Sequence, residues 1–472
     1  MAFHTANFFI FFLALLIPYL LFKRARIWLL AAANVLFYAA AGIGPLILFF
    51  AVTTITYIVI QCMRHERLKW AFWIGIAVNA GNLLFFKYTI FILDTIQRLS
   101  GWEWLHRDSL EASIVLPIGI SFYTFQFISY LIDVRRGVIE PASSFVRFWV
   151  YIALFPPLIA GPIMRGNELM PQLDEIKRKI VRWQEIKYGM MLVLWGLVKK
   201  IIFADRLAEA VDPLFAQGME MSGTDAWIAA FLFGFQIYFD FSAYSDMALG
   251  LGHMLGLRLV LNFNSPYIST NPSEFWTRWH ISLSRWIRDY IYISLGGNRR
   301  RPIRVHFNLM AAMLISGLWH GAMWTFVFWG ALHGMLSIVY KWTLHLNRIN
   351  WIQRVREHVL YRVLAVFVFF HIISWTWVFF RAESLSQAVY MTKQMFAAAD
   401  WSTLYARPEM LWVVLLFLLH LLEHGVRNYA STASKLWHWV PFPLRSAFYF
   451  MIVMTIFYFL KGETNAFIYF QF

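Results

Sequence analysis

The sequence predicts an all-α, polytopic integral membrane protein, and three observations carry that reading. Hydrophobic residues make up 60% of the 472 positions and charged residues only 14%, where soluble domains hold about 45–50% apolar and about 25% charged residues. The mean hydropathy is +0.57. Apolar runs recur from one end of the chain to the other. A chain this apolar exposes more hydrocarbon than water tolerates. That excludes a soluble globular enzyme, a disordered protein and a nucleic-acid binder.

Lys and Arg number 41 against 26 Asp and Glu, a formal net charge of +15. In a membrane protein the simplest cause is the positive-inside rule, by which short cytoplasmic loops collect Lys and Arg. Aromatic residues reach 19%, and 23 of them are Trp. Trp and Tyr suit the membrane interface, where one end of the ring system is apolar and the other wet. A single cysteine, Cys62, lies in an apolar stretch. It reads as a small buried hydrophobe with no intrachain disulfide.

The elements follow from the apolar runs, at about 7–22, 27–42, 44–62, 70–86, 112–132, 145–163, 188–203, 225–254, 305–319, 321–343, 363–380, 409–424 and 443–460. Several fall short of the roughly 20 residues that cross a bilayer. The expectation is therefore about 11–13 helices, some tilted, broken or re-entrant, in one membrane domain over residues 1–472. The first run has no basic residues before it and no small-residue cleavage site, so it reads as a spanning helix and not a removed signal peptide. Lys23, Arg24 and Arg26 follow that run; Arg64, Arg67 and Lys69 follow the third; Arg135 and Arg136 follow the fifth. The link at Ala41–Gly44 carries no charge. Basic links on alternate turns put the N-terminus outside the cytoplasm. Residues 166–187, rich in Lys and Arg, read as an interfacial helix, and residues 384–397 as a second amphipathic helix. No period of 20–50 residues and no inverted halves are visible, which argues against a solenoid and weakens a repeat-built transporter.

Three segments depart from a bland membrane protein. In NPSEFWTRWHISLSRWIRDYIYISLGGNRRR (271–301), helical spacing puts Arg278, Ser282, Arg285 and Asp289 on one stripe and Trp279, Leu283, Trp286 and Tyr290 on another. Arg285 and Asp289 are placed to pair, and His280 stands at the helix start. The structural alternative is an interfacial helix with a satisfied histidine. The second segment is SGLWHG (316–321), in a run otherwise free of charge from Leu309 to Val339. An ionisable group at membrane depth is costly and usually faces a cavity. Histidine is the side chain whose ordinary pKa lies near neutrality, which suits general-base work at His320, while Gly317 and Gly321 permit close approach. A core histidine bonded to a neighbouring helix stands against that, and for His333, 13 residues on, packing is the preferred reading. The third segment is QIYFDFSAYSD (236–246). Its carboxylates, Asp240 and Asp246, need a cation, water or a proton in hydrocarbon. Arg278 and Arg285 are candidate partners, and a structural ion-pair network between helices is the preferred reading. No Walker A loop, dinucleotide glycine fingerprint, HExxH or GxSxG is present, and nothing in the spacing argues for a metal.

Taken together, RWHISLS (278–284), LGGNR (295–299) and GLWHG (317–321) resemble the core of the membrane-bound O-acyltransferase family, closest to its bacterial, alginate-type branch. Agreement extends to LPIGISFYTFQFISYLIDV (116–134), FPPLIAGPIMR (155–165), GLVKKIIFADRLA (196–208), YFDFSAYSDMALGLG (238–252), NFNSPY (262–267) and WVFFRAESL (377–385). The resemblance covers nearly the whole chain, with its core at about 116–345.

The resemblance implies helices around a central tunnel, acyl transfer across the bacterial inner membrane, a catalytic histidine at His320 and a second characteristic histidine at His280. It implies acetyl-CoA as a cytoplasmic donor substrate, no bound cofactor, and a periplasmic acetyltransferase partner that esterifies a polysaccharide such as alginate or cellulose. Met323 departs from the branch, whose members often carry Asn there. On this expectation Trp319 and Trp324 wall the site, and the run Arg299, Arg300, Arg301, Arg304 meets donor phosphates, with plain positive-inside charge as the alternative. D-alanyl transfer within the family, or transport of a lipid-linked sugar without ester chemistry, are the competing functions.

Overall fold

The computed structural model describes residues 3–65, 68–101, 110–111, 113–344, 350–429, 435, 437, 439–459 and 467–468. Arg67, one of the expected loop cations, lies outside them. Among the described residues every regular element is a helix. Six of these helices are long and apolar enough to cross a membrane, or up to seven if Ala6–Leu21 and Lys23–Ala39 form one span broken by a 118° bend. Other apolar runs fold as shorter helices, such as Ile120–Arg135 and Phe145–Ala153. The chain forms two compact units, residues 1–195 with 244–261, and residues 196–243 with 262–472.

In the first unit, Thr5 starts the first helix by accepting from the Phe8 amide, which satisfies one of the orphan N–H groups of a helix start. Arg26, expected as a loop cation, is buried. Its guanidinium donates to the carbonyls of Tyr19, Ile176 and Lys179 at 3.0, 3.0 and 2.6 Å, and it stacks over the Tyr19 ring. A buried charge is held by hydrogen bonds instead of solvent. The interfacial helix expected over 166–187 is interrupted: a helix ends at Asp174, and the next begins at Trp183. Between them Arg178, Lys179 and Arg182 line a cavity with Arg258. Cys62 is free and half-buried, not fully buried.

The helix Gly223–Met254 contributes residues 223–243 to the second unit and 244–254 to the first. At 32 residues it is about 48 Å long, well beyond the hydrocarbon thickness. Its apolar window is wholly buried. In the second unit, helices begin where the sequence supplies caps. Asn271 accepts from the Glu274 amide at 2.9 Å with Pro272 at the first helical position, and Ser384 accepts from the Gln387 amide. The helix Leu385–Ala397 matches the expected amphipathic segment.

The helices Pro302–His320 and Trp324–Thr343 pack backbone to backbone along a glycine seam. A Cβ on Gly317 would collide with the Phe326 carbonyl oxygen, and one on Gly330 would meet the backbone of Met313 and Leu314. The glycines of the SGLWHG segment therefore serve close helix packing, which sets His320 at the end of one helix against the start of the next.

Candidate active site

Every residue that builds the site lies in the second unit. His320 is the last residue of its helix, followed by extended Gly321. It is 4% exposed. Its imidazole meets Trp319 at 5.0 Å between ring centroids, Phe380 at 5.1 Å and Trp329 at 5.3 Å, each near edge-on. The His280 ring lies 6.3 Å away, and Trp319 touches both histidines. The two histidines, 40 residues apart in sequence, thus share one buried aromatic cluster.

The helix expected to start at His280 does form, but Arg278, placed on its polar stripe, belongs to a separate helix before it. The structure has Pro272–Arg278, then a break, then Ile281–Trp286, continued by a π-helical turn over Ile287–Tyr292. The break is His280 itself, with φ of +41° and ψ of +56°. A non-glycine residue in this left-handed region costs on the order of 1–3 kcal/mol and persists only where neighbours fix it. Asn262 does so: its carbonyl accepts from the Ile281 amide at 2.9 Å, and its side-chain oxygen accepts from the Ser282 amide at 3.2 Å. The turn points His280 inward, against Phe241 at 4.7 Å. Asn262→Ala, which removes the second bond, is expected to destabilise the fold by about 1 kcal/mol. A thermal melt of the detergent-solubilised protein that matches wild type would show the turn needs no such clamp.

Arg278 folds back on its own helix. It pairs with Glu274 at 3.0 Å and donates to the Asn264 carbonyl. Asp240 is met by neither of the arginines expected for it. Its partner is Lys200, at 2.7 Å, and Lys200 also binds Asp205 at 2.9 Å. Neighbouring Lys199 meets Glu423, which also accepts from the Tyr238 hydroxyl and from Arg427. The preferred structural reading of the 236–246 segment therefore fits Asp240. Asp246 is buried in the first unit. Asp289 takes the guanidinium of its neighbour Arg288 at 2.6 Å. Trp324 is 46% exposed, whereas Trp319 is buried against both histidines.

Beside the histidines lies a cavity of about 560 Å³. Its lining grades from buried Ser316 and Trp276 to Arg285, Arg288, Asn298 and Lys341. Ser316 is one helical turn ahead of His320. A second cavity of about 540 Å³ shares Arg288, Tyr292 and Asn298 with the first and adds the exposed Arg299 and Arg300. The LGGNR segment makes this junction. Gly296 and Gly297 both adopt left-handed φ, +108° and +52°, which a side chain would resist. The tight turn presents the Asn298 side-chain oxygen to Lys341 Nζ at 2.5 Å and to the Tyr292 hydroxyl at 2.7 Å.

Sequence reasoning located His280, His320, Trp319, Arg285, Arg299 and Arg300 around these spaces. It missed Trp329, Phe380, Asn262, Asn298 and Lys341. Asn298 had a signal, the paired glycines before it. The aromatic walls had none, because Trp and Phe are abundant throughout this chain.

Comparison with known proteins shows the family. The model of MBOAT, the membrane-bound O-acyltransferase family, matches residues 34–381. A protein of Azotobacter vinelandii named as a probable alginate O-acetylase, AlgI, is 41% identical over 389 residues, 81% of this chain and 75% of that one. The peptidoglycan O-acetyltransferase of Helicobacter pylori is 36% identical over 403 residues, 78% of this chain and 73% of that one. The teichoic acid D-alanyltransferase of Streptococcus thermophilus is 29% identical over 295 residues, 57% of this chain and 69% of that one. With a family model matched over most of its length and relatives at about 40% identity, this multi-pass chain belongs to the membrane-bound O-acyltransferase family and is an O-acyltransferase.

Proposed function

We propose that this acyltransferase moves acetyl from a cytoplasmic thioester donor, acetyl-CoA, toward a hydroxyl of an exported polysaccharide, with His320 as general base. One observation carries the reading. The 560 Å³ cavity begins one turn from His320 and ends at a rim of Arg285, Arg288 and Lys341, continued by Arg299 and Arg300. A slim thioester arm suits the buried part, and donor phosphates suit guanidinium forks at the rim. In the reaction the acceptor oxygen attacks the thioester carbonyl as His320 takes its proton. The new C–O bond forms, the C–S bond breaks, and the thiolate leaves with a proton as the free thiol. In a dry pocket the base competes with no bulk water.

On this reading the protein sits in a bacterial inner membrane with the basic rim in the cytoplasm and the N-terminus in the periplasm. A periplasmic acetyltransferase partner completes the transfer to the polymer. The relatives that act on alginate and peptidoglycan favour a sugar hydroxyl as final acceptor. D-alanyl transfer is the second reading, supported by likeness to the teichoic acid enzyme over a smaller share of the chain. Base-labile esters on surface polymer separate the two, with acetate and D-alanine scored in wild-type and deletion strains at equal polymer yield. Acetate lost on deletion upholds the proposal; D-alanine lost instead moves the protein to the second reading. No change in either ester removes both.

A further inference from the structure

We propose that Thr376 and His333 form a positioning pair that holds Trp329 and Phe380 against His320. The inference rests on His320 as the reacting base.

Trp329 and Phe380 each touch the His320 ring, at 5.3 and 5.1 Å, and touch one another at 5.3 Å. They come from two different helices, Trp324–Thr343 and Val359–Arg381. One turn further along the first helix stands His333, and one turn back along the second stands Thr376. These two residues are joined at 3.2 Å between His333 Nε2 and Thr376 Oγ1, and both are fully buried. A side-chain hydrogen bond thus ties the two helices together one turn from the aromatic walls they set against His320.

The donor and acceptor roles follow from the hydrogen count. The threonine hydroxyl owns one hydrogen, and its shorter contact, 2.7 Å to the Ile373 carbonyl, takes it. Toward His333 the oxygen therefore accepts, so Nε2 carries the imidazole proton. That tautomer also suits Nδ1, which is buried without a protein hydrogen-bond partner among the described residues. A proton on Nδ1 would be a buried donor with nothing to meet. The His333 ring is then clamped between Trp329 at 4.6 Å and Trp276 at 5.1 Å. Through Trp329 its orientation reaches His320. Through Thr376 the rotation of the second helix, and with it Phe380, is fixed as well.

The test compares Thr376→Val, which keeps shape and removes the acceptor, with Thr376→Ser, which keeps the hydroxyl. Two readouts are used. One is the rate of total ester formation on surface polymer, acetate plus D-alanine, at matched protein level, which does not depend on which acyl group is moved. The other is the ¹⁵N signal of the histidine side chains in the purified, detergent-solubilised protein. Thr376→Val is expected to lower ester formation by on the order of ten- to a hundredfold, the scale of a misplaced catalytic group. It is also expected to shift both the His333 and His320 signals, while Thr376→Ser behaves as wild type. An unmoved His320 signal in Thr376→Val overturns the pair, as does ester formation at the wild-type rate. Equal losses in Val and Ser overturn it too, because the hydroxyl would then not be the cause. His320→Ala measured alongside separates this from failure of the general-base reading, since that variant keeps full ester formation only if His320 is not the base.

Discussion

Membranes carrying His320→Ala are expected to hold the protein at the wild-type level and to form polymer ester about 10²–10⁴-fold more slowly, the usual contribution of a positioned base. The imidazole sits at a helix end, so its loss removes ring contacts with Trp319, Trp329 and Phe380 without disturbing a backbone bond inside the helix. His320→Gln, closer in size, limits the packing defect and is expected to be as inactive. Ester formation at the wild-type rate in either variant would remove His320 from the chemistry. His280→Ala is expected to be strongly impaired yet measurable. Its ring faces His320 from 6.3 Å, but its backbone is held by Asn262 whatever the side chain. An unimpaired His280→Ala would reduce that residue to a turn former.

Lys200→Met is expected to have the largest effect on folding. The side chain is almost wholly buried, with Asp240 at 2.7 Å and Asp205 at 2.9 Å. The second oxygen of Asp240 accepts from the Ile468 amide at 2.6 Å, and the Phe467 ring lies under the ammonium at 4.5 Å. Removing this cation strips two buried carboxylates of a shared counter-charge. Breaking a buried pair in this way costs about 3–5 kcal/mol, a large part of the roughly 5–15 kcal/mol that holds a domain together. The variant is expected to accumulate poorly and to melt well below wild type in detergent. Adding Asp205→Asn and Asp240→Asn to it should recover part of the loss, because the unpaired charges are then gone. A Lys200→Met protein that melts as wild type would show that the cluster adds nothing to the fold.

The sequence was informative where local physics dominates. Composition and hydropathy were enough for an all-helical membrane protein, since every backbone group in hydrocarbon must be satisfied within its own segment. The glycines at 317 and 321 act over a few residues, so they too could be read. The ordered motifs drew attention to His280 and His320 before any distance was available. Sequence periodicity failed at Arg278, which it put on one helical stripe with Ser282, Arg285 and Asp289. Left-handed His280 separates Arg278 from the other three, and that turn is held by Asn262 from another segment.

What only the tertiary structure decided are the partners. Asp240 could be read as a carboxylate in need of a cation, but the sequence pointed to Arg278 and Arg285, and folding brings Lys200 instead. Arg26 looked like a loop charge and is a buried clamp on three carbonyls. The walls of His320 come from Trp329 and Phe380, ordinary members of an aromatic-rich sequence until two helices meet. Spacing along a chain reports which side chains share one helix face. Which faces meet depends on packing between segments tens to hundreds of residues apart, and it is packing that turns a histidine in an apolar run into a walled site with a cavity beside it.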